Sequence, residues 1–100
     1  MNSVYKYYVN PEGYGKFVHH LHRLIYPFNK LQVKCKVISD GILIVLLKDN
    51  MDAFAGLTFD EYNKIVEALS YQNYCALCIK QFDRFIKEVI FNNFYNSKFI

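Results

Sequence analysis

The chain has 100 residues, of which 53% are hydrophobic and 21% charged, and its formal net charge is +3. This size and composition predict one folded domain over residues 1–100 and exclude a disordered tail. The longest uncharged apolar run, Ile42 to Leu47, is far shorter than the roughly 20 residues that a membrane span needs. Three cysteines cannot all pair within one chain, and Met1 is not followed by a secretory pattern, so we expect an intracellular protein in the cytoplasm or in a host cell.

The first half of the chain predicts three strands and one helix. Val4 to Val9 reads as a strand that places Tyr5, Tyr7 and Val9 on one face. Apolar residues at helical spacing then predict a helix from Tyr14 to Tyr26. Two further strands follow, and their residues are Leu31 to Val37 and Ile42 to Lys48, joined by a hairpin turn at Asp40-Gly41.

The second half predicts two helices. Thr58 and Glu61 have the spacing of a capping box, and Leu57 and Tyr62 have that of the accompanying hydrophobic staple. A long last helix is predicted from about Asn73 to Asn93 by its apolar periodicity.

The resulting order is β-α-β-β-α-α, an α+β chain. A right-handed crossover favours the strand order 2-3-1, a three-stranded antiparallel or mixed sheet resembling a ferredoxin-like unit that lacks its fourth strand. A two-residue turn places Val37 opposite Ile44 and Cys35 opposite Leu46. The last helix is expected to cover the reverse face of the sheet, where Ile38, Leu43, Val45 and Leu47 lie beside Lys34 and Lys36.

Residues 8–23, YVNPEGYGKFVHHLHR, have the outline of a phosphate-binding loop that leads into a helix. A Walker loop requires a Ser or Thr after its lysine, whereas this chain has Phe17 after Lys16. Glu12 also places a negative charge where phosphate would lie. We therefore interpret the stretch as a turn and helix start, and not as a nucleotide site.

The histidines and cysteines do not predict a metal site. His20 and His22 lie on opposite sides of the polar face of their helix, so they cannot chelate one ion together. Cys75 and Cys78 have C-x₂-C spacing, but both fall on the apolar side of the last helix, which favours buried thiols over zinc ligands. No cofactor is expected.

A basic surface is the strongest candidate for binding an anionic partner. Its residues are Lys16, His19, His20, Arg23, Lys30, Lys34 and Lys36. The alternative is a solvated polar face, which every surface helix has.

No catalytic constellation is present, so the sequence favours a small non-catalytic interaction or regulatory protein. Its richness in Asn, Lys, Ile, Phe and Tyr is typical of AT-rich coding genomes such as those of many viruses and phages. It would act by binding a host protein, or by forming a homodimer through an edge strand with Tyr5, Tyr7 and Val9. The alternative is a nucleic-acid-binding protein that uses the basic surface, and a small enzyme with an unfamiliar site ranks third.

Overall fold

The computed structural model describes residues 9–71 and 76–95. A first helix is followed by three strands, two further helices and a final π-helical turn. In chain order these elements are α1 (Pro11–Ile25), β1 (Leu31–Ile38), β2 (Gly41–Lys48), β3 (Met51–Thr58), α2 (Phe59–Ser70), α3 (Ala76–Ile90) and the π-helical turn (Phe91–Tyr95). The α+β class is therefore confirmed, whereas the order of the strands is not the predicted one.

The three strands form an antiparallel meander in the order β1-β2-β3. The predicted order 2-3-1 and its ferredoxin-like crossover are wrong, because the third strand is Met51–Thr58, which the sequence analysis did not identify. A two-residue turn at Asp49-Asn50 joins this strand to β2, so no crossover is needed. Val9 precedes α1 and packs partly buried against the core, while Tyr5 and Tyr7 lie outside the described residues.

The register of the first hairpin differs from the prediction by two residues. Val37 pairs with Ile42 and Cys35 with Ile44, so the turn residues are Ser39 and Asp40. Gly41 is the first residue of β2, where an added Cβ would collide with the carbonyl oxygen of Leu57. Glycine is therefore required at this position by the close approach of β3 and not by the turn.

The start of α2 has the capping box that the sequence predicts. Thr58 donates its backbone N–H to Glu61 Oε1 at 2.8 Å, and Thr58 Oγ1 accepts from the Glu61 N–H at 3.1 Å. This reciprocal pair satisfies two donors that the first turn of a helix leaves free, so the predicted capping box is confirmed.

All three helices contribute to one core on a single face of the sheet. Phe17 and Leu21 of α1, Tyr62 of α2 and Ile86 of α3 are buried with the strand residues of that face. These strand residues are Leu31, Val33, Ile42, Ile44, Leu46, Ala53, Ala55 and Leu57.

The expectation that the last helix covers the reverse face is wrong, because α3 packs on the same side as α1 and α2. No helix within the described ranges has the length and apolarity of a membrane span.

Candidate interaction surfaces

The glycine-rich stretch forms the first turns of α1. Asn10 caps the helix, and its Oδ1 accepts from the N–H of Glu12 at 2.8 Å and from that of Gly13 at 3.3 Å. Pro11 is the first helical residue, a position where its missing N–H has no consequence. The amides that could receive a phosphate are thus bonded to a side chain, and Gly13 and Gly15 are helical residues.

Gly13 has a packing role. A Cβ at this position would lie 2.8 Å from Val66 Cγ1 of α2, so the glycine lets the two helices approach closely. Pro11 and Gly13 are typical of a turn, so the helix predicted from the sequence begins three residues too late, at Tyr14.

Four of the predicted cationic residues lie together on α1. Lys16, His19, His20 and Arg23 line a shallow depression of about 380 Å³ that Leu69 and Ser70 of α2 complete. Lys16 Nζ lies 3.5 Å from Ser70 Oγ, which holds the ammonium group near the end of α2. The α1 cluster, as we name these four residues, could bind an anion where its side chains converge.

His20 is already bonded to an acidic group. Its Nε2 lies 2.7 Å from Asp83 Oδ1 of α3, and both side chains are half-buried. Since the carboxylate of Asp83 offsets positive charge, the α1 cluster is less cationic than its sequence suggests. The described residues contain no group of three or more His, Cys, Asp and Glu side chains that could hold a metal ion.

The other three predicted cations are not part of the α1 cluster. Lys34 and Lys36 alternate with the core residues of β1, so they lie on the reverse face of the sheet, away from the helices. Lys30 lies in a separate depression beside Gln32, Leu47 and Asp49. The predicted basic residues therefore do not form one surface, because the α1 cluster lies on the helix side of the sheet and Lys34 and Lys36 lie on its reverse face.

In the part of the chain that the structure describes, the reverse face of the sheet is accessible, whereas the sequence predicted that the last helix covers it. The register forms rows across the sheet, and the middle row is Lys34, Val45 and Phe54, with Lys36, Leu43 and Gly56 beside it. The side chain of Phe54 is 58% exposed, and Leu43, Val45 and Leu47 are half-buried. We call this surface the open face, because no helix of the described residues covers it.

The charge of the open face is uneven. Exposed lysines lie along β1, apolar side chains follow β2, and β3 adds Phe54 with one acid, Asp52. The alternation of Ala53, Ala55 and Leu57 with polar or exposed residues was the signal for β3. Small residues made that signal weak, since strands are typically rich in β-branched and aromatic side chains.

Three weakly acidic groups lie near one another in the core. Burial raises the pKa of the Cys35 thiol to about 11 and that of the Tyr62 hydroxyl to about 12. Burial, with the nearby Cys35, also raises the pKa of Tyr14. The Tyr62 hydroxyl has no hydrogen-bond partner among the described residues. A thiol that stays protonated is a poor nucleophile, so Cys35 is a packing residue.

The burial and the bonding of Cys78 differ from those predicted. It is half-buried and takes part in a disulfide, so it is not the buried free thiol that the apolar periodicity suggested. Cys75, the other residue of the C-x₂-C pair, lies outside the described residues.

Comparison with known proteins identifies no relative. No family model, no curated protein and no solved structure matches this chain.

Proposed function

We propose that this chain is a small non-catalytic protein that binds another protein through its open face. The observation that carries the proposal is the apolar middle strand of that face, which the three helices leave accessible. Sheets in single domains normally bury an apolar face, and exposed apolar patches with a polar rim mark interaction surfaces.

The lysines define the chemistry of the partner. Lys34 and Lys36 border the apolar residues of β2 on one side, and Asp52 is the one acid of the face on the other. A complementary surface has an apolar centre and carboxylates that meet the two lysines. Such charge complementarity directs the encounter and the orientation of a complex more than its affinity.

The size of the open face predicts a transient complex. Three strands of eight residues span roughly 14 by 27 Å at the usual strand spacing and rise. This footprint is smaller than the roughly 800 Å² per partner of a stable standard interface. A reversible regulatory contact fits this area better than a permanent assembly.

Charge reversal on β1 tests the proposal. Protein partners are captured by cross-linking from nuclease-treated cell extract, and the affinity of a purified partner is then measured. Lys34→Glu with Lys36→Glu should weaken binding at least tenfold, whereas Lys64→Glu, an exposed lysine of α2, should leave it unchanged. Equal binding by all three proteins would contradict the open face as the binding surface.

A second candidate function is nucleic-acid binding through the α1 cluster. It is supported by the convergence of Lys16, His19 and Arg23 on one depression. Binding of a labelled oligonucleotide should fall steeply with salt, because phosphate contacts release counterions. Lys16→Glu with Arg23→Glu should abolish it, and the Lys34 and Lys36 reversals serve as the control. Affinity that is insensitive to salt and to the α1 variants would exclude this function.

A further inference from the structure

The outer edge of β3 has backbone groups that no strand of the described residues pairs. The two-residue turn at Asp49-Asn50 makes Lys48 and Met51 the closing hydrogen-bonded pair of its hairpin. Bonded and non-bonded pairs alternate along an antiparallel ladder. Asp52, Phe54 and Gly56 therefore direct their N–H and C=O groups away from β2.

Thr58 supports this assignment independently. It belongs to the same alternating set, and its N–H donates to Glu61 Oε1 and not to β2. None of the backbone hydrogen bonds found outside helices and strands in residues 9–71 and 76–95 involves Asp52, Phe54 or Gly56. Within the described residues, their outward groups are thus unpaired and can accept another strand.

This edge lacks the features that normally prevent strand addition. Natural edge strands carry lysines, prolines or bulges. Residues 51–58 contain no Lys, Arg or Pro, and their pairing with β2 continues without a bulge. At the other edge of the sheet, β1 has Lys34 and Lys36. The sheet is thus protected at one edge and open to pairing at the other.

We propose that β3 pairs with β3 of a second copy of this chain, antiparallel and about a two-fold axis at Phe54. In this register Phe54 lies opposite the second copy's Phe54, and Asp52 lies opposite the second copy's Gly56. In each of these pairs, the two residues form two hydrogen bonds between their outward N–H and C=O groups. The result is one continuous six-stranded sheet with the helices on one face.

The side chains of β3 make this pairing self-complementary. Asp52 is the one charged residue of the strand, and it meets a glycine, so no like charges oppose each other. The two Phe54 rings, 58% exposed in one chain, form a cross-strand aromatic pair. On the other face Met51, which is 47% exposed, meets the second copy's Leu57. A second copy therefore satisfies both the backbone and the exposed apolar side chains.

Sedimentation equilibrium over micromolar to high-micromolar protein tests the pairing. The wild type should show a reversible monomer–dimer equilibrium. Phe54→Lys places two lysines together at the axis and should raise the dissociation constant at least tenfold. Gln32→Lys adds the same charge to an exposed position of β1 and should not change it. A wild type that is monomeric throughout, or a Phe54→Lys protein that dimerises normally, would overturn the proposal.

Cysteine cross-linking tests the register. Phe54→Cys should give a disulfide-linked dimer on mild oxidation, since the hydrogen-bonded pair at the axis has its Cα atoms about 5.5 Å apart, within the range that disulfides span. Gln32→Cys is the matched control and should give no disulfide-linked dimer, and a cross-link there would contradict pairing through β3. These results are separate from the proposed function, because a monomer can still bind a partner through Lys34 and Lys36.

Discussion

His20 Nε2 lies 2.7 Å from Asp83 Oδ1, and this contact joins α1 to α3 across 63 residues of sequence. The rings of His20 and Phe82 lie 6.3 Å apart at the same junction, and Phe17 packs against Phe82 at 5.6 Å. The junction therefore combines an apolar contact with a polar one at its rim. It fixes the side of α1 that carries the candidate anion-binding residues.

The polar contact should contribute modestly to stability. A double-mutant cycle with His20→Ala and Asp83→Ala should give a coupling free energy of about 0.5–1 kcal/mol, because the pair is partly solvated. Urea unfolding measures each variant. His22→Ala, on the exposed side of α1, should show no coupling to Asp83→Ala. Equal coupling for both histidines would show that the contact at His20 is not specific.

Gly41 should tolerate no side chain. In Gly41→Ala the new Cβ meets the backbone of Leu57 and Thr58, which cannot move as a flexible side chain can. We expect a loss of at least about 2 kcal/mol in the free energy of unfolding, as for other overpacked sites. Gly15→Ala, with open space around its Cβ, should instead stabilise α1 by up to about 1 kcal/mol. Similar changes at both glycines would refute the steric explanation.

The Tyr62 hydroxyl should be a destabilising group. It is buried without a partner among the described residues, and an unsatisfied buried polar group costs about 1–3 kcal/mol. Tyr62→Phe should therefore raise the free energy of unfolding by about 1 kcal/mol. Tyr26→Phe, at a residue that is 88% exposed, should leave it unchanged. A less stable Tyr62→Phe protein would mean that the hydroxyl has a partner in solution.

Stability should fall at alkaline pH. The pKa of Cys35 rises on folding from 9.0 to about 11, because burial disfavours the thiolate. The folded state thus holds the proton more tightly, and its stability is complete below pH 9 and is lost as the pH rises toward 11. Cys35→Ala should flatten this dependence between those values, as followed by urea unfolding at each pH. An unchanged slope would exclude Cys35 as its source.

The capping box of α2 should contribute measurably to the free energy of unfolding. Thr58→Ala removes the acceptor for the Glu61 N–H and should cost about 1 kcal/mol. Glu61→Ala removes the acceptor for the Thr58 N–H and should have a similar effect. Glu67→Ala, at an exposed residue later in the same helix, is the control. A loss as large at Glu67 would indicate a general effect on the helix and not on its cap.

Strong local signals predicted the correct elements. The alternation in residues 31–37, the apolar residues of β2, and the pairing of Thr58 with Glu61 each gave an element where the structure has one. β3 was missed because Ala53, Ala55 and Gly56 are residue types that strands use rarely. Without that strand, the third strand of the predicted sheet was Val4 to Val9. The predicted order 2-3-1 depends on that strand.

The placement of Lys34 and Lys36 on the reverse face follows from the sequence and is confirmed. Lys34 and Lys36 alternate with Val33 and Cys35, and successive residues of a strand point to opposite faces. Since Val33 faces the helices, the lysines cannot share a surface with α1. Their nearness to Arg23 along the chain was misleading. The contact between His20 and Asp83 had no comparable signal, because it depends on how two distant helices pack.

The meander has a consequence for how this chain folds. Each strand pairs with the strand next to it in sequence, and each connection within the sheet is a two-residue turn. Little loop-closure entropy is lost when such strands meet, so proteins rich in local pairings fold quickly. We expect the two hairpins to form early. The docking of α1 on α3, which closes the longest loop, should come late and limit the rate of folding.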